Sequence, residues 1–258
     1  MTPYYESETV KLWHADNREI LPTLPADAYD VAVTSPPYNL REGMEDKGGL
    51  RIGHKGSLWA QRALADGYDN HSDDLPYPEY VEQQKATLRE LWRVVSGAIY
   101  YNHKPRIVKG QLRTPLALTD LPVRQIIIWD RGSGMNFMPG AYCPQHEWIV
   151  LMAKPGWTLK SRGASGVGDV WTIPPDKSKG HPASFPLAIP ERALETSGAT
   201  SVIDPWAGSG TTLLAAKRMG IKAVGIEKSE AYCEITARRL SQEMTLCSAN
   251  SDSAKSGR

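Results

Sequence analysis

The chain has 258 residues, 41% of them hydrophobic, and a formal net charge of +1, which suits one large domain with a sizeable core better than two small ones. No apolar run nears the ~20 residues that cross a bilayer, and the start MTPYYESETVKLWHAD lacks the basic and apolar regions of a secretory signal, so a soluble, cytoplasmic protein with no membrane partner is expected. Cys143, Cys233 and Cys247 are odd in number and without CxxC spacing, which argues against a disulfide framework and against a zinc or other metal site.

Seven short β-branched or aromatic runs read as strands in chain order: residues 10–16, 29–35, 97–102, 124–130, 147–153, 201–206 and 222–227. Between them lie helical patterns. YPEYVEQQKATLRELWRVV puts Tyr80, Leu88, Leu91, Trp92 and Val95 on one face, and TTLLAAKRMG ends in Gly220 as a helix stop. Such alternation predicts an α/β fold with a doubly wound, seven-stranded, mostly parallel sheet in a single domain over 1–240. Two stretches, 40–76 and 154–180, are long and rich in Gly, Asp, Ser and Lys, and read as binding loops. The segment 241–258 has little apolar content and is expected to be a disordered tail.

Net charge says little, but local charge says more. Residues 102–119 carry Lys104, Arg106, Lys109 and Arg113 with no acid, 153–180 carry a net +3 that includes Lys160 and Arg162, and 41–62 carry +2. Each could be a solvated loop; three in one chain favour a polyanionic partner.

Two motifs carry chemistry. TSPPYNL at 34–40 follows an apolar strand with a small hydroxyl, two rigid prolines and an aromatic ring: Ser35, Pro36, Pro37 and Tyr38. VIDPWAGSGTTLLAAKRMG at 202–220 ends a strand at Asp204, turns through Gly208 and Gly210 and enters a helix near Thr211, so backbone can approach a ligand at the strand's carboxyl end. No lysine follows Gly210, which argues against a triphosphate loop. About twenty residues on, KAVGIE ends in Glu227, where βαβ nucleotide sites hold a ribose-binding acid. An adenosine-bearing cofactor is the better reading.

SPPY with DPWAGSGTT resembles the DNA amino-methyltransferases, which move a methyl group from S-adenosylmethionine to the exocyclic amine of cytosine or adenine. GDVW at 168–171, HPASFP at 181–186, GIEKSEAYCEITARR at 225–239 and HEWIVLMAKPG at 146–156 are similar to family segments in the same order, so the resemblance spans almost the whole chain. With the catalytic motif ahead of the glycine loop, the order resembles the circularly permuted β group. It implies a Rossmann-like methyltransferase fold, double-stranded DNA as partner, and a prokaryotic or phage origin; a cognate restriction endonuclease and a homodimer stay open. Trp206 stands where the family usually has phenylalanine.

The resemblance assigns Asp204, Pro205, Trp206, Gly208, Ser209, Gly210, Thr211 and Thr212 to cofactor binding, Glu227 to the ribose, and His181 and Phe185 to further contacts. It puts Asp16 near the adenine; as a residue, Asp16 reads equally as a helix N-cap before NREILPTL. Lys104, Arg106, Lys109, Arg113, Lys160 and Arg162 are the implied DNA-binding residues. The exocyclic amine is a poor nucleophile because its lone pair is conjugated into the ring. Ser35 and the Pro36 carbonyl would accept its hydrogens, the fixed prolines would hold those acceptors where charge develops, and Tyr38 would stack on the flipped base. No general base is evident in the motif. Carbon-5 methylation needs a cysteine nucleophile, usually in a Pro-Cys pair, and the chain offers only the reverse pair, Cys143-Pro144. Protein glutamine methylation fits poorly, because asparagine before the prolines and a leading cofactor loop are both absent. Serine before the prolines favours cytosine N4, with adenine N6 as the alternative; an RNA methyltransferase and a non-catalytic DNA-binding subunit stay open.

Overall fold

A computed structural model describes residues 2–39, 75–108, 110–132, 134, 140–175 and 185–253. Along the chain run β1 (Tyr5–Glu6), β2 (Val10–His14), α1 (Asn17–Ile20), β3 (Tyr29–Thr34), α2 (Tyr77–Val94), β4 (Val95–His103), β5 (Arg106–Val108), β6 (Gln111–Arg113), β7 (Val123–Asp130), β8 (His146–Ala153), α3 (Arg162–Ser165), β9 (Val170–Thr172), α4 (Ala188–Ser197), β10 (Ser201–Asp204), α5 (Thr211–Arg218), β11 (Lys222–Glu227) and α6 (Glu230–Ser253). All seven expected strands are present. Two short edge strands, β1 and β9, widen the sheet to nine in the order β1-β2-β11-β10-β3-β4-β8-β7-β9, and β5 and β6 form a separate hairpin. Five of the eight pairings in the large sheet are parallel.

Period-two alternation divides each central strand between two cores. Val31, Val33, Tyr100 and Val202 pack with α4, α5 and α6 on one face, while Ala32, Ile99, Tyr101 and Ile203 pack with α1 and α2 on the other. The sheet is therefore doubly wound. In α2 the buried residues Tyr80, Gln84, Thr87, Leu88, Leu91 and Val94 follow the helical period, and a proline in the first turn suits the amino terminus. The connection from β3 through α2 to β4 steps one way across the sheet, and that from β10 through α5 to β11 steps the other. Strand order thus reverses between β3 and β10, the switch point where a crevice opens beyond the strand ends.

At the carboxyl end α6 spans Glu230–Ser253, Leu240 on it is fully buried, and Arg218 on α5 donates to both carboxylate oxygens of Glu243 at 2.8 and 3.0 Å. One expectation needs correcting. The segment 154–180 is not one irregular loop, since it holds α3 and β9 and buries Trp171, whose indole N–H donates to the Gly168 carbonyl at 3.0 Å. Of the expected loop at 40–76, residues 40–74 lie outside the described residues.

At the switch point Thr34 Oγ1 donates to Asp204 Oδ1 at 2.7 Å, and the Trp206 backbone N–H donates to the same oxygen at 3.1 Å. Asp204 is 2% exposed, and burial pushes its carboxyl up to about 6. The folded state therefore holds a proton that the unfolded chain has already released, and stability falls as pH rises from about 4 to 6. Asp204→Asn keeps an oxygen for both donors and removes this dependence. Thermal unfolding is expected to show the variant's melting temperature rising relative to the wild type between pH 4 and 7.5, by the equivalent of a few kcal/mol, on the order of 1.4 per pKa unit. A gap that does not change with pH would refute this.

Candidate active site

The apolar run that makes β3 a buried strand ends at Thr34, and the prolines after it carry the chain off the sheet in an extended path. Ser35 Oγ lies 2.9 Å from Tyr38 Oη, and Tyr38 Oη donates to Glu147 Oε2 at 2.9 Å. Asn102 Nδ2 donates to Tyr38 Oη at 2.7 Å, to Glu147 Oε2 at 3.1 Å and to Ser35 Oγ at 3.3 Å. Arg131 Nη1 donates to Glu147 Oε1 at 3.2 Å. Because the Tyr38 hydrogen goes to the carboxylate, the Ser35 hydroxyl must donate to Tyr38, which leaves Ser35 Oγ as an acceptor.

Further contacts fix the turn. Tyr80 Oη lies 2.8 Å from the Pro37 carbonyl and 2.7 Å from His103 Nε2, and the His103 and Tyr38 ring centroids are 4.6 Å apart. Burial pushes His103 down to about 3, so this imidazole is neutral at physiological pH. Arg106 Nη1 donates to the Tyr38 and Asn39 carbonyls at 3.0 and 2.6 Å. Asn39, at φ +53°, exchanges two hydrogen bonds with the Leu75 backbone at 2.8 and 2.9 Å, which joins the two ends of the intervening segment.

The glycine turn is held as firmly. Glu227 takes the Gly208 and Ser229 backbone N–H groups, each at 2.8 Å, and burial pushes its carboxyl up. From α6, Thr236 Oγ1 donates to the Gly208 carbonyl at 2.9 Å, and Arg239 donates to the Ser209 carbonyl and, at 3.1 Å, to its hydroxyl. Gly210 sits at φ +77°, where a Cβ would run into the Thr236 side chain, so position and neighbour both require glycine. Asn17 Nδ2 donates to the Pro205 carbonyl at 3.0 Å, and the Thr212 hydroxyl ties α5 to the Val33 carbonyl at 3.2 Å. Asp16 caps α1 through the Arg18 N–H; its bonds to Arg18 hold its carboxyl well below the usual range.

Between the turns lies a cavity of about 500 Å³, open mouth included, lined by Asp16, Arg18, Pro37, Tyr80, Gln84 and Trp206 among others. A second hollow of about 300 Å³ lies beside Tyr38, bounded by Tyr77, His103, Lys104, Arg106 and Arg113.

The structure gathers Ser35, Pro36, Pro37, Tyr38, Asp16, Glu227 and the run from Asp204 to Thr212 at one edge of the sheet. His181 and Lys109 lie outside the described residues. Phe185 is 7% exposed and belongs to the core under α4. Asp16 is an N-cap as well as a cavity wall. Arg106, expected on phosphate, bonds the main chain of the motif turn, and the Arg113 guanidinium lies 3.8 Å from the Tyr77 ring centroid. Burial pushes the Lys104 amine down. The Lys160 backbone N–H bonds the Thr196 carbonyl at the end of α4, and Arg162 follows in α3, which packs on α4. Sequence reasoning missed Asn102, Arg131, Glu147, Tyr80, His103, Thr236 and Arg239; HEWIVLMAKPG was legible as a segment, but nothing local gave Glu147 a role.

Comparison with known proteins completes the picture. The chain is 28% identical to the type II methyltransferase M.ScaI of Streptomyces caespitosus over 93% of this chain and 84% of that protein. It is 25% identical to M2.LlaDCHI of Lactococcus lactis subsp. cremoris, over 94% of this chain and 93% of that one. Its fold is similar to the cytosine-N4-specific PvuII DNA methyltransferase, with a TM-score of 0.67 at 16% identity over 92% of this chain and 88% of that one. It is also similar to a DNA modification methylase of Thermus thermophilus complexed with S-adenosyl-L-methionine, with a TM-score of 0.61 at 24% identity over 90% and 93% of the two chains. A sequence model described as DNA methylase, covering N6 and N4 methyltransferases, matches residues 29–238. That match takes in both motifs and the strands that carry them, and the chain belongs to this DNA methylase family.

Proposed function

We propose that this DNA methylase transfers a methyl group from S-adenosylmethionine to the N4 amine of a cytosine flipped out of duplex DNA. The observation that carries the reading is the hydrogen-bond direction at Ser35: a neutral hydroxyl oxygen, turned into an acceptor by Tyr38 and Glu147, follows directly on Thr34, which bonds the strand end that enters the glycine turn. Such an acceptor takes an amine hydrogen and draws the nitrogen lone pair out of conjugation as attack proceeds. A neutral hydroxyl oxygen can serve the cytosine amine in this way. The structural likeness to the PvuII enzyme, cytosine-N4-specific by name, supports the same choice.

The residues fit the cofactor. The glycine turn leaves room for backbone approach at Gly208, Trp206 gives the cavity an aromatic wall, and Glu227 lies at its strand end as ribose recognition requires. When bound, S-adenosylmethionine supplies an electrophilic methyl group on a sulfonium. Asp204 is turned inward, so its part is to shape the turn that carries Trp206. Duplex DNA would approach the strand-end edge, where the hollow beside Tyr38 carries Lys104 and Arg113 on its rim. M.ScaI and M2.LlaDCHI are named type II methyltransferases, which supports a place in a bacterial restriction-modification system with a cognate nuclease. Both chemical motifs are intact, which favours catalysis over a non-catalytic subunit.

Glu227→Gln keeps the side chain's shape but weakens its acceptor; calorimetry is expected to show about tenfold weaker cofactor binding, since a bond to a charged group contributes about 1.5–3 kcal/mol. Unchanged affinity would remove Glu227 from the site.

Tritium transfer to duplex DNA and duplex RNA, followed by digestion to nucleosides and mass spectrometry, is expected to give N4-methylcytosine from DNA alone. N6-methyladenine as sole product would overturn the base assignment. Ser35→Ala is expected to lower the single-turnover rate by about 10²-fold or more, as loss of one preorganised partner does elsewhere, while DNA affinity stays near wild type.

A further inference from the structure

The methylated nitrogen carries one proton too many, and the motif itself holds no base to take it. We infer that Glu147 is the terminal acceptor of that proton, reached through the hydroxyls of Ser35 and Tyr38. The inference rests on the methyl-transfer reading above and gives it the group it lacks.

The geometry is a continuous chain. Ser35 Oγ to Tyr38 Oη is 2.9 Å, and Tyr38 Oη to Glu147 Oε2 is 2.9 Å. Both hydrogens in the chain already point toward the carboxylate, for the reason of donor count given above. As the amine nitrogen forms its bond to the methyl carbon, the carbon–sulfur bond breaks and its electron pair leaves on a neutral thioether. The nitrogen then passes a proton to Ser35 Oγ, Ser35 passes its own to Tyr38 Oη, and Tyr38 passes its own to Glu147 Oε2. Each hydroxyl ends neutral, and the proton rests on the carboxylate.

The surroundings suit an acceptor. Glu147 is 6% exposed at the start of β8, and three side chains from three other segments donate to it: Tyr38 after β3, Asn102 on β4 and Arg131 after β7. Lys104, following β4, is the other cation that acts on it. A buried carboxylate paired with a half-buried arginine, as Glu147 is with Arg131, is a poor device for stability alone. Asn102 makes the point sharper. Its Nδ2 makes all three donations while Oδ1 is buried without a partner among the described residues. Flipping the amide would set oxygen against the carboxylate, so Glu147 dictates the amide's orientation, and that amide in turn fixes both hydroxyls. Glu147 touches no substrate; it is a positioning residue for Tyr38 and Ser35 and the sink at the end of their chain.

The test compares wild type, Glu147→Gln, Tyr38→Phe and the double variant. Calorimetry for cofactor, equilibrium binding of duplex DNA and thermal unfolding are measured alongside single-turnover methylation from pH 5 to 9. Each single variant is expected to lose about 10²-fold or more in rate, as loss of positioned proton transfer does, with binding at wild-type levels. The double variant should be no slower than either single one, since both cut the same chain. Tyr38→Phe leaves the Arg131–Glu147 pair in place and decides the matter if Glu147→Gln does not fold. A wild-type rate in Tyr38→Phe or in folded Glu147→Gln, or additive losses, would each overturn the relay. Wild-type enzyme that methylates no exocyclic amine would instead remove the reading beneath it, and this is seen before any variant is compared.

Discussion

The hydrogen bond from Thr34 to Asp204 is the constraint on which the site depends. β3 and β10 pair only at Val31 with Val202 and at Ala32 with Ile203. Beyond those pairs the crossovers on either side carry the chain apart, and no backbone ladder holds the two strand ends together. Side-chain bonds span the gap instead: Thr34 to Asp204, residues 170 apart in sequence, and Thr212 at the start of α5 to the Val33 carbonyl. To one side of it hangs the Ser35–Tyr38 turn and to the other the glycine turn, so their spacing is set there. Burying a carboxylate for this purpose is unfavourable, as the upward shift of Asp204 to about 6 records. Strain of that kind is tolerated where a site demands it.

Much of this arrangement is legible in the sequence because its signals are local. Seven strands announce themselves by β-branched runs, and the two motifs stand at the ends of two of them, which in a parallel sheet already places both at one edge. What escapes is what only strand pairing creates. Glu147 looks like an ordinary polar residue ahead of an apolar strand. It becomes part of the site because β8 lies antiparallel to β4 with Asn102 opposite Ile149 and His103 opposite Trp148. Arg106 misleads for the opposite reason. In a run of four basic residues without an acid its charge suggests phosphate, but its planar fork finds two carbonyls of the motif turn. The two edge strands escape because two or three residues show no period.

The turn after β3 also shows how a rigid site can border a long excursion of chain. Two prolines remove backbone freedom, yet the path must then turn sharply at Asn39, whose side chain can stabilise a left-handed backbone where a β-branched residue could not. The same side chain grips Leu75, where the chain returns to begin α2. Tyr80 on the first turns of α2 then reaches back to the Pro37 carbonyl and closes the frame.

A sheet of wholly parallel strands could not have supplied this site. At the edge where parallel strands end, each chain leaves toward a helix, and its last side chains must serve both the turn and the ligand; Asp204 and Glu227 are already committed to their own turns. An antiparallel neighbour begins where the others end. β8 therefore presents its first residues at that edge, anchored by the full length of a buried strand and with no turn of their own to hold. A carboxylate placed this way faces only its neighbours' donors, and the hydroxyls of Tyr38 and Ser35 line up on it in sequence. The polarity of one strand thus determines that the serine hydroxyl at the end of another donates to Tyr38 and keeps its oxygen as an acceptor.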